Sequence, residues 1–368
     1  MGAPTGKVAK AIEPMRGRTM RRTACFSYAP QPKTFDRLRP MRYLVTGAAG
    51  FIGSAICHRL VAEGHDVVGF DDLSLGRIEH LAAVPEVRLE VADLRDAEAI
   101  ARAAKDCDII LHQAALKSVP RSIEEPERYT DVNVLGTLNV LLAARERRTP
   151  VVFASSSSVY GDQDRFPLTE DMEPRPRSPY AASKLAGEAY CRAWWPSFGV
   201  PTVSLRYFNV YGPGQDPASE YAAVVTRFTV ACLRGGRPVI YGDGEQARDF
   251  AFIDDVVEAN LRAARAPEQA WGRAFNIGGG AEPTSVNRLL ELIAAAHDQE
   301  LGFRKALQDD GNRADEEEQT LLGSETTDRS DDRPGGIELQ LAQNRIGVRR
   351  QLGVCFLEVD AVWDRHDL

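Results

Sequence analysis

The sequence predicts an α/β protein: a doubly wound parallel sheet followed by a smaller C-terminal lobe. Three observations predict it. From residue 42 onward, short apolar runs alternate with amphipathic helical patterns. A glycine-rich turn joins the first run to the first helix, and an aspartate ends the second run. The chain has 368 residues, 43% hydrophobic and 27% charged, enough to bury a large core and too apolar for a disordered protein.

Strands are expected at Arg42–Thr46, Asp66–Phe70, Val87–Val91, Asp108–His112, Val151–Ala154 and Val203–Tyr207. Helices are expected between them at Phe51–Glu63, Ala97–Ala104, Asp131–Arg145 and Tyr180–Trp195. This alternation calls for parallel strands covered by helices on both faces. After Asn209 the order loosens. A loop bearing proline and glycine leads to a helix near Ala222–Leu233 and a short apolar stretch at Pro238–Tyr241. A helix near Asp254–Ala264, a strand-like Ala274–Ile277 and a helix near Ser285–Ala296 follow, as a second, smaller lobe. The chain therefore divides into a basic extension (1–40), a main sheet domain (41–208), a lobe with elements returning to the main sheet (209–296) and an atypical acidic tail (297–368). No internal repeat is apparent.

Charge is unevenly placed. Residues 1–40 carry nine Lys and Arg against two acids, and residues 298–332 carry twelve acids against four bases, within a formal net charge of −8. Both extremes flank the folded pattern, and no basic stripe crosses the middle as nucleic-acid binding would require. No run of about 18 apolar residues is present, so no membrane span is expected. The six cysteines are scattered without a C-x-x-C pair, and the six histidines lack paired ligand spacing. Buried, reduced thiols, a cytoplasmic location and no metal site are expected. Residues 1–40 read as a flexible arm, an organelle leader or translation begun upstream of the natural start. The last is preferred, because Met41 is followed at once by a strand; no secretory signal is visible.

Gly47-Ala48-Ala49-Gly50-Phe51-Ile52-Gly53 lies between the first strand and first helix. The first glycine permits the tight turn, the second lets backbone approach a pyrophosphate, and the third lets helix and strand pack closely. Phosphates would then meet free N–H groups at the helix N-terminus. Asp71 ends the second strand 24 residues after Gly47, where a carboxylate accepts from a ribose 2′-hydroxyl and repels a 2′-phosphate. NAD is favoured over NADP. Asp93-Leu94 lies where it would reach adenine, with an ordinary turn as the other reading.

Ser178-Pro179-Tyr180-Ala181-Ala182-Ser183-Lys184 carries the strongest chemical signal. Serine caps and proline opens a helix, and Tyr180 and Lys184 then share one face. Lowering a phenol by ~3 pH units takes ~4 kcal/mol of preferential phenolate stabilisation. An adjacent ammonium and a positive nicotinamide ring have the right sign. Ser155-Ser156-Ser157-Ser158-Val159-Tyr160-Gly161 follows the fifth strand, whose carboxyl end overlooks the crevice.

The Gly-x-x-Gly-x-x-Gly spacing, with these later motifs in order, resembles the extended short-chain dehydrogenase/reductases. Within them it is most similar to the nucleotide-sugar epimerases of the UDP-N-acetylglucosamine and UDP-glucose 4-epimerase kind. The resemblance runs from Met41 to about Ala296. It implies a Rossmann-type NAD-binding domain, a C-terminal substrate-binding lobe, and Ser156, Tyr180 and Lys184 as the catalytic set. Around NAD it implies Gly47, Gly50, Phe51, Ile52, Gly53, Asp71, Asp93, Leu94 and Ala114 besides Tyr180 and Lys184. Around a UDP-sugar it implies Lys117, Ser118, Ser156, Ser157, Asn209, Ala223, Val224, Tyr241 and Arg248.

Alternatives stand beside several of these. His112 reads as strand-end packing before general base. Asn209 is equally a turn former, and Arg248 competes with a surface salt bridge to Asp249 or Glu245. Related dehydratases carry Asp-Glu where this chain has Ser157-Ser158, and related decarboxylases carry Glu at Ser158. Without that acid/base group the simplest cycle is oxidation and re-reduction at C4 of the sugar. The implied activity is C4 epimerisation, first of UDP-GlcNAc and UDP-GalNAc, with UDP-glucose or UDP-glucuronate, a 4-keto-sugar reductase and an impaired NAD-binding protein as the other readings. A homodimer through the helices near Asp131–Arg145 and Tyr180–Trp195 is also implied. The family's Arg-Pro-Gly-Asp segment has only a faint echo in Arg333-Pro334-Gly335-Gly336. A reading-frame change after about Ala296 would produce such a tail.

Overall fold

Seven strands, each paired in parallel with its neighbour, form the central sheet of the computed structural model, which describes residues 40–216, 224–240, 242–280 and 283–297. The expectations for residues 1–39, Ala223, Tyr241 and the acidic tail from 298 onward lie outside the described residues. The chain runs β1 (Arg42–Thr46), α1 (Phe51–Ala62), β2 (Asp66–Asp71), β3 (Arg88–Val91), α2 (Ala97–Ala104), β4 (Ile109–His112), α3 (Val119–Glu124) and α4 (Pro126–Tyr129). It continues through α5 (Gly136–Arg147), β5 (Val151–Ser156), α6 (Pro179–Phe198), β6 (Thr202–Tyr207), β7 (Asn209–Tyr211), α7 (Val224–Leu233) and β8 (Ala247–Arg248). Then come β9 (Phe250–Phe252), α8 (Ile253–Ala264), β10 (Arg273–Ile277), β11 (Thr284–Ser285) and a helix over 286–297, α9.

The strand order is β10-β6-β5-β4-β1-β2-β3. The chain leaves β1 in one direction and returns on the other side at β4. A crevice therefore opens beyond the carboxyl ends of β1 and β4, where the order reverses. Alternate side chains supply two cores. Tyr43, Val45, Ile109, Leu111 and Val152 pack toward α1 and α8, whereas Leu44, Ile110, Val151 and Phe153 pack toward α2, α5 and α6. Cys57, Cys107 and Cys191 are buried free thiols, pushed up to about 12 by burial. Among the described residues, no helix is long and apolar enough to cross a membrane.

The structure corrects the expected elements in three places. The single helix expected over Asp131–Arg145 is a π-helical turn, Thr130–Leu135, running into α5. That turn carries the Asn133 side chain to the Leu116 main chain, and Gly136 then sits so close to Leu94 that a Cβ would lie 2.9 Å from its Cβ. The short apolar stretch takes no regular structure over its described residues, Pro238–Ile240, and Val239 is 67% exposed. Strand β5 runs two residues past its expected end, because Ser155 and Ser156 still pair with Arg206 and Tyr207 of β6.

The stretch after Asn209 contributes both to the main sheet and to a separate cluster. Strand β10 extends the sheet beside β6, and α8 lies on the α1 face. A smaller core gathers Phe228, Phe250, Val286 and Leu289, bordered by the short pairs β7–β9 and β8–β11.

Helix α6 lies on β5 with no room to spare. A Cβ on Gly187 would stand 2.4 Å from Cζ of Phe153, a ring that is itself only 2% exposed. Gly187→Ala is therefore expected to destabilise the fold by about 1–3 kcal/mol despite alanine's better helix propensity, as read from urea melts. A more stable variant would refute the close approach.

Candidate active site

The crevice begins at the turn after β1. Gly47 adopts φ +70°, and a Cβ there would come within 2.8 Å of the Ala114 nitrogen. A Cβ on Gly53 would fall 2.0 Å from the Gly47 carbonyl oxygen. Both positions therefore demand glycine. Gly50 stands at the α1 N-cap without a side-chain cap, leaving first-turn N–H groups for a ligand. Asp71 is 7% exposed, and its carboxylate accepts from the N–H of Ala49 at 3.0 Å and of Leu73 at 2.9 Å. Burial raises its pKa and those two bonds oppose the rise.

Every residue expected around a dinucleotide lines this one cleft: Gly47, Gly50, Phe51, Ile52, Gly53, Asp71, Asp93, Leu94, Ala114, Tyr180 and Lys184. Asp93 is bonded to Arg95, which holds its carboxyl below the usual range. Leu94 is buried, its carbonyl accepting from Asn139. The tight glycine cradle, uncapped helix start and strand-end carboxylate fit NAD by chemistry and by room.

On the opposite wall, Ser178 caps α6 through the Ala181 N–H, and Pro179 opens the helix. The Ser156 hydroxyl favours ionisation of the Tyr180 phenol, whose ring meets Tyr129 edge-on at 6.5 Å. Lys184, 4% exposed, donates to the Ala154 carbonyl at 2.8 Å and lies 5.2 Å from the Phe153 ring centre. Burial is the largest influence on the Tyr180 phenol and raises its pKa, while the Ser156 hydroxyl opposes the rise. The Lys184 ammonium and a cationic ring bound in the cleft both have the sign that lowers a phenol.

Several supporting residues escaped sequence reasoning. Glu188, two turns beyond Tyr180, takes both Nε and Nη2 of Arg206 at 2.9 and 2.8 Å. Ser155 also donates to Glu188, while Arg206 Nη1 reaches the Tyr160 hydroxyl at 2.8 Å, which donates to Asn276 at 2.7 Å. Asn133 donates to the Leu116 carbonyl and the Ser183 hydroxyl, each at 3.0 Å. The four-residue spacing of Tyr180, Lys184 and Glu188 was the available signal for the first group; Asn133 had none.

His112 is the packing residue that the sequence favoured. Burial and then Lys184 push its imidazole down to about 3, so it is neutral. Thr137 spends its proton on the Asn133 carbonyl at 2.6 Å, so His112 Nε2 must donate to Thr137 and Nδ1 must accept from Thr46.

The substrate-side residues divide. Lys117 lines the cleft. Ser118 is buried and caps α3 through the Arg121 N–H. Ser156 and Ser157 stand half-buried where β5 enters a 3-10 turn, Ser157–Tyr160. Asn209 donates to the Asp249 carbonyl at 2.8 Å, and Val224 packs in the smaller core. Arg248 is exposed in β8. Its two competing acids are engaged elsewhere: Asp249 accepts from the Gly279 N–H and Glu245 from Asn287. Among the described residues, no cluster of side chains is arranged to hold a metal ion.

A doubly wound domain with a dinucleotide cleft and a Ser-Tyr-Lys wall defines the class. Residues 43–278 match the NAD dependent epimerase/dehydratase family. A UDP-glucose 4-epimerase of Mycolicibacterium smegmatis is 44% identical over 262 residues, 70% of this chain and 82% of that protein. The UDP-N-acetylglucosamine 4-epimerase of Methanobrevibacter ruminantium, solved with UDP-N-acetylmuramic acid, superposes with TM-score 0.67 and 39% identity over 71% of this chain and 83% of its own. The Thermus thermophilus UDP-glucose 4-epimerase, solved with NAD, gives TM-score 0.63 and 40% identity over 70% and 84%. The chain belongs to the NAD dependent epimerase/dehydratase family, and its cofactor is NAD.

Two predictions follow from the buried charges. Glu188→Ala leaves Arg206 without its partner and is expected to cost about 3–5 kcal/mol in urea melts, whereas Glu188→Met with Arg206→Met recovers most of it. Lys184 is held at about 8 by burial against 10.5 for a free lysine. Across that window the unfolded chain binds the extra proton, so stability rises with pH, and below it the buried charge carries its full cost. Lys184→Met should flatten that rise in calorimetric melts between pH 8 and 10.

Proposed function

We propose that the protein is an NAD-dependent C4 epimerase of a UDP-hexose, acting first on UDP-GlcNAc and UDP-GalNAc, through a 4-keto intermediate. The observation that carries this reading is Tyr180 and Lys184 together in the cleft wall, with the Ser156 hydroxyl favouring ionisation of the Tyr180 phenol and hydroxyls rather than carboxylates at 157 and 158. Elimination or decarboxylation would use an additional acid or base there. The relatives named above, two UDP-glucose 4-epimerases and one UDP-N-acetylglucosamine 4-epimerase, support epimerisation and differ in the sugar.

Bound NAD supplies a hydride acceptor and, once reduced, a hydride donor. The chain's own groups manage the proton and the position of the sugar. Tyr180 takes the C4 hydroxyl proton at its phenolic oxygen, whose ionisation the Ser156 hydroxyl favours, with the Lys184 ammonium in the same wall. The 4-keto sugar then turns about its diphosphate link and presents its other face. Tyr180 returns the proton to the new C4 oxygen. Asp71 and the glycine turn hold NAD throughout, so no cofactor needs to be added. Lys117 and Arg248 supply positive charge for the diphosphate.

We also infer a homodimer. Leu135 and Leu142, seven residues apart, are 47% and 40% exposed, and Phe198 at the end of α6 is 38% exposed. These apolar surfaces on the π-helical turn, α5 and α6 support pairing through that side of the domain.

Proton NMR of UDP-GlcNAc with purified protein and no added cofactor tests the reading. UDP-GalNAc signals rising to a steady ratio are the expected result. Conversion of UDP-glucose or UDP-glucuronate instead would keep the reaction and change the sugar, and a requirement for added NADPH would move the chemistry to a reductase. Tyr180→Phe is expected to retain bound NAD and lose conversion by at least ~100-fold; full activity would remove Tyr180 from the mechanism.

A further inference from the structure

Ser156 ends β5 in extended conformation, φ −152° and ψ 145°, and caps the short 3-10 turn that follows. The turn brings the residue two positions on back to the Ser156 hydroxyl. The Ser158 main-chain N–H donates to Ser156 Oγ at 3.2 Å, and the Ser158 side-chain oxygen lies 2.9 Å from the same atom. The far end of the turn is pinned, because Tyr160 is fully buried and its hydroxyl is bonded to both Arg206 and Asn276. Ser158 is thus held against Ser156 by buried structure.

Hydroxyl bookkeeping decides what this does. A serine hydroxyl has one proton to donate and two lone pairs to fill. Ser156 is also the side chain whose hydroxyl favours ionisation of the Tyr180 phenol, so a hydrogen bond between the two is the interaction at issue. A neutral phenol can donate or accept in that bond, but a phenolate can only accept. When Tyr180 gives up its proton, Ser156 must therefore turn its single proton toward the phenolate oxygen. Both of its lone pairs then face donors on Ser158, the N–H and the hydroxyl. The chain of oxygens acquires one direction, from Ser158 through Ser156 to Tyr180, and each bond polarises the next.

We propose that Ser158 is a positioning residue that directs the Ser156 hydroxyl proton at the Tyr180 oxygen. It acts through Ser156 without needing to touch the substrate. Any residue at 158 other than proline keeps the N–H, so the side-chain hydroxyl is the separable part. Ser157, beside it, makes no such bond to Ser156 among those seen in the structure. The proposal rests on Tyr180 as the proton acceptor of the reading above.

The test is a near-ultraviolet tyrosinate titration of the wild type, Ser158→Ala and Ser158→Thr, each taken as a difference from the same protein carrying Tyr180→Phe. The other titratable groups about Tyr180 are Tyr129 on α4 and Lys184 on α6, and both are unchanged in all variants. Ser158→Ala is expected to move the Tyr180 transition upward by about half a unit to one unit, the scale of one hydrogen bond. Its kcat for the UDP-sugar that turns over should fall by about 3- to 10-fold, with KM within about 2-fold and the acid limb of the pH profile displaced in the same direction. Ser158→Thr should restore both.

An unmoved titration in Ser158→Ala would overturn the proposal and leave Ser158 as a turn residue. A raised KM with unchanged kcat would overturn it in favour of a direct substrate contact. The titration needs no substrate, so a shifted Tyr180 transition without conversion of any UDP-sugar would sustain the positioning role and count against the epimerase reading.

Discussion

The buried pair of Glu188 and Arg206 is the interaction on which the working wall of the cleft depends. Arg206 is 2% exposed and Glu188 6% exposed, so neither charge is solvated by water. Such burial is tolerable only when the remaining donors and acceptors are filled. Here Ser155 on β5 donates to Glu188 and the Tyr160 hydroxyl in the 3-10 turn accepts from Arg206, and Tyr160 is fixed in turn by Asn276 on β10, which is bonded to the Leu168 carbonyl and Glu170. A slip of α6 by one residue would strand both charges. Since Tyr180 and Lys184 precede Glu188 on the same face, the pair sets the height at which they meet the cleft.

A second polar chain crosses the sheet from the glycine turn to the same helix. The Ala114 N–H donates to Thr46, Thr46 to His112, His112 to Thr137, and Thr137 to the Asn133 carbonyl. The Asn133 amide then donates to Ser183, which donates to the Tyr180 carbonyl. Each group has its partner, which is what keeps a buried histidine neutral and in one tautomer. Tyr207, Gln113 and Asn260 close a third ring of bonds beneath the cleft floor. The cleft is thus lined by groups whose own polar needs are met inside the protein.

The outer side of the cleft is built differently. Short strand pairs and a small apolar core hold Asn209 and Asp249 together, with a Cβ on Gly278 falling 2.2 Å from Asp249 Oδ2. Arg248 beside them stays exposed. An arginine free of an internal carboxylate is available to an anionic ligand, whereas a paired one must first break its bond.

Much of this protein is legible in its sequence, and the reason is local. Glycine at 47 and 53 is demanded by a turn and a helix contact made within seven residues, and Ser178-Pro179 starts α6 wherever that helix lies. The strands and helices of the first two hundred residues follow from periodicity, since each buries one or both faces against a sheet. The side-chain roles that depended on distant partners were not legible. Nothing adjacent to Asn133 announces a π-helical turn, because the Leu116 and Ser183 groups that employ its amide arrive from other elements. Glu188 reads as one more helix acid until Arg206 is brought beneath it from β6. The phenol of Tyr180 shows the same division. Sequence placed it one turn from a lysine, but burial, which only the tertiary structure sets, raises the phenol, and the fold directs one of the lysine's three N–H donors to the Ala154 carbonyl.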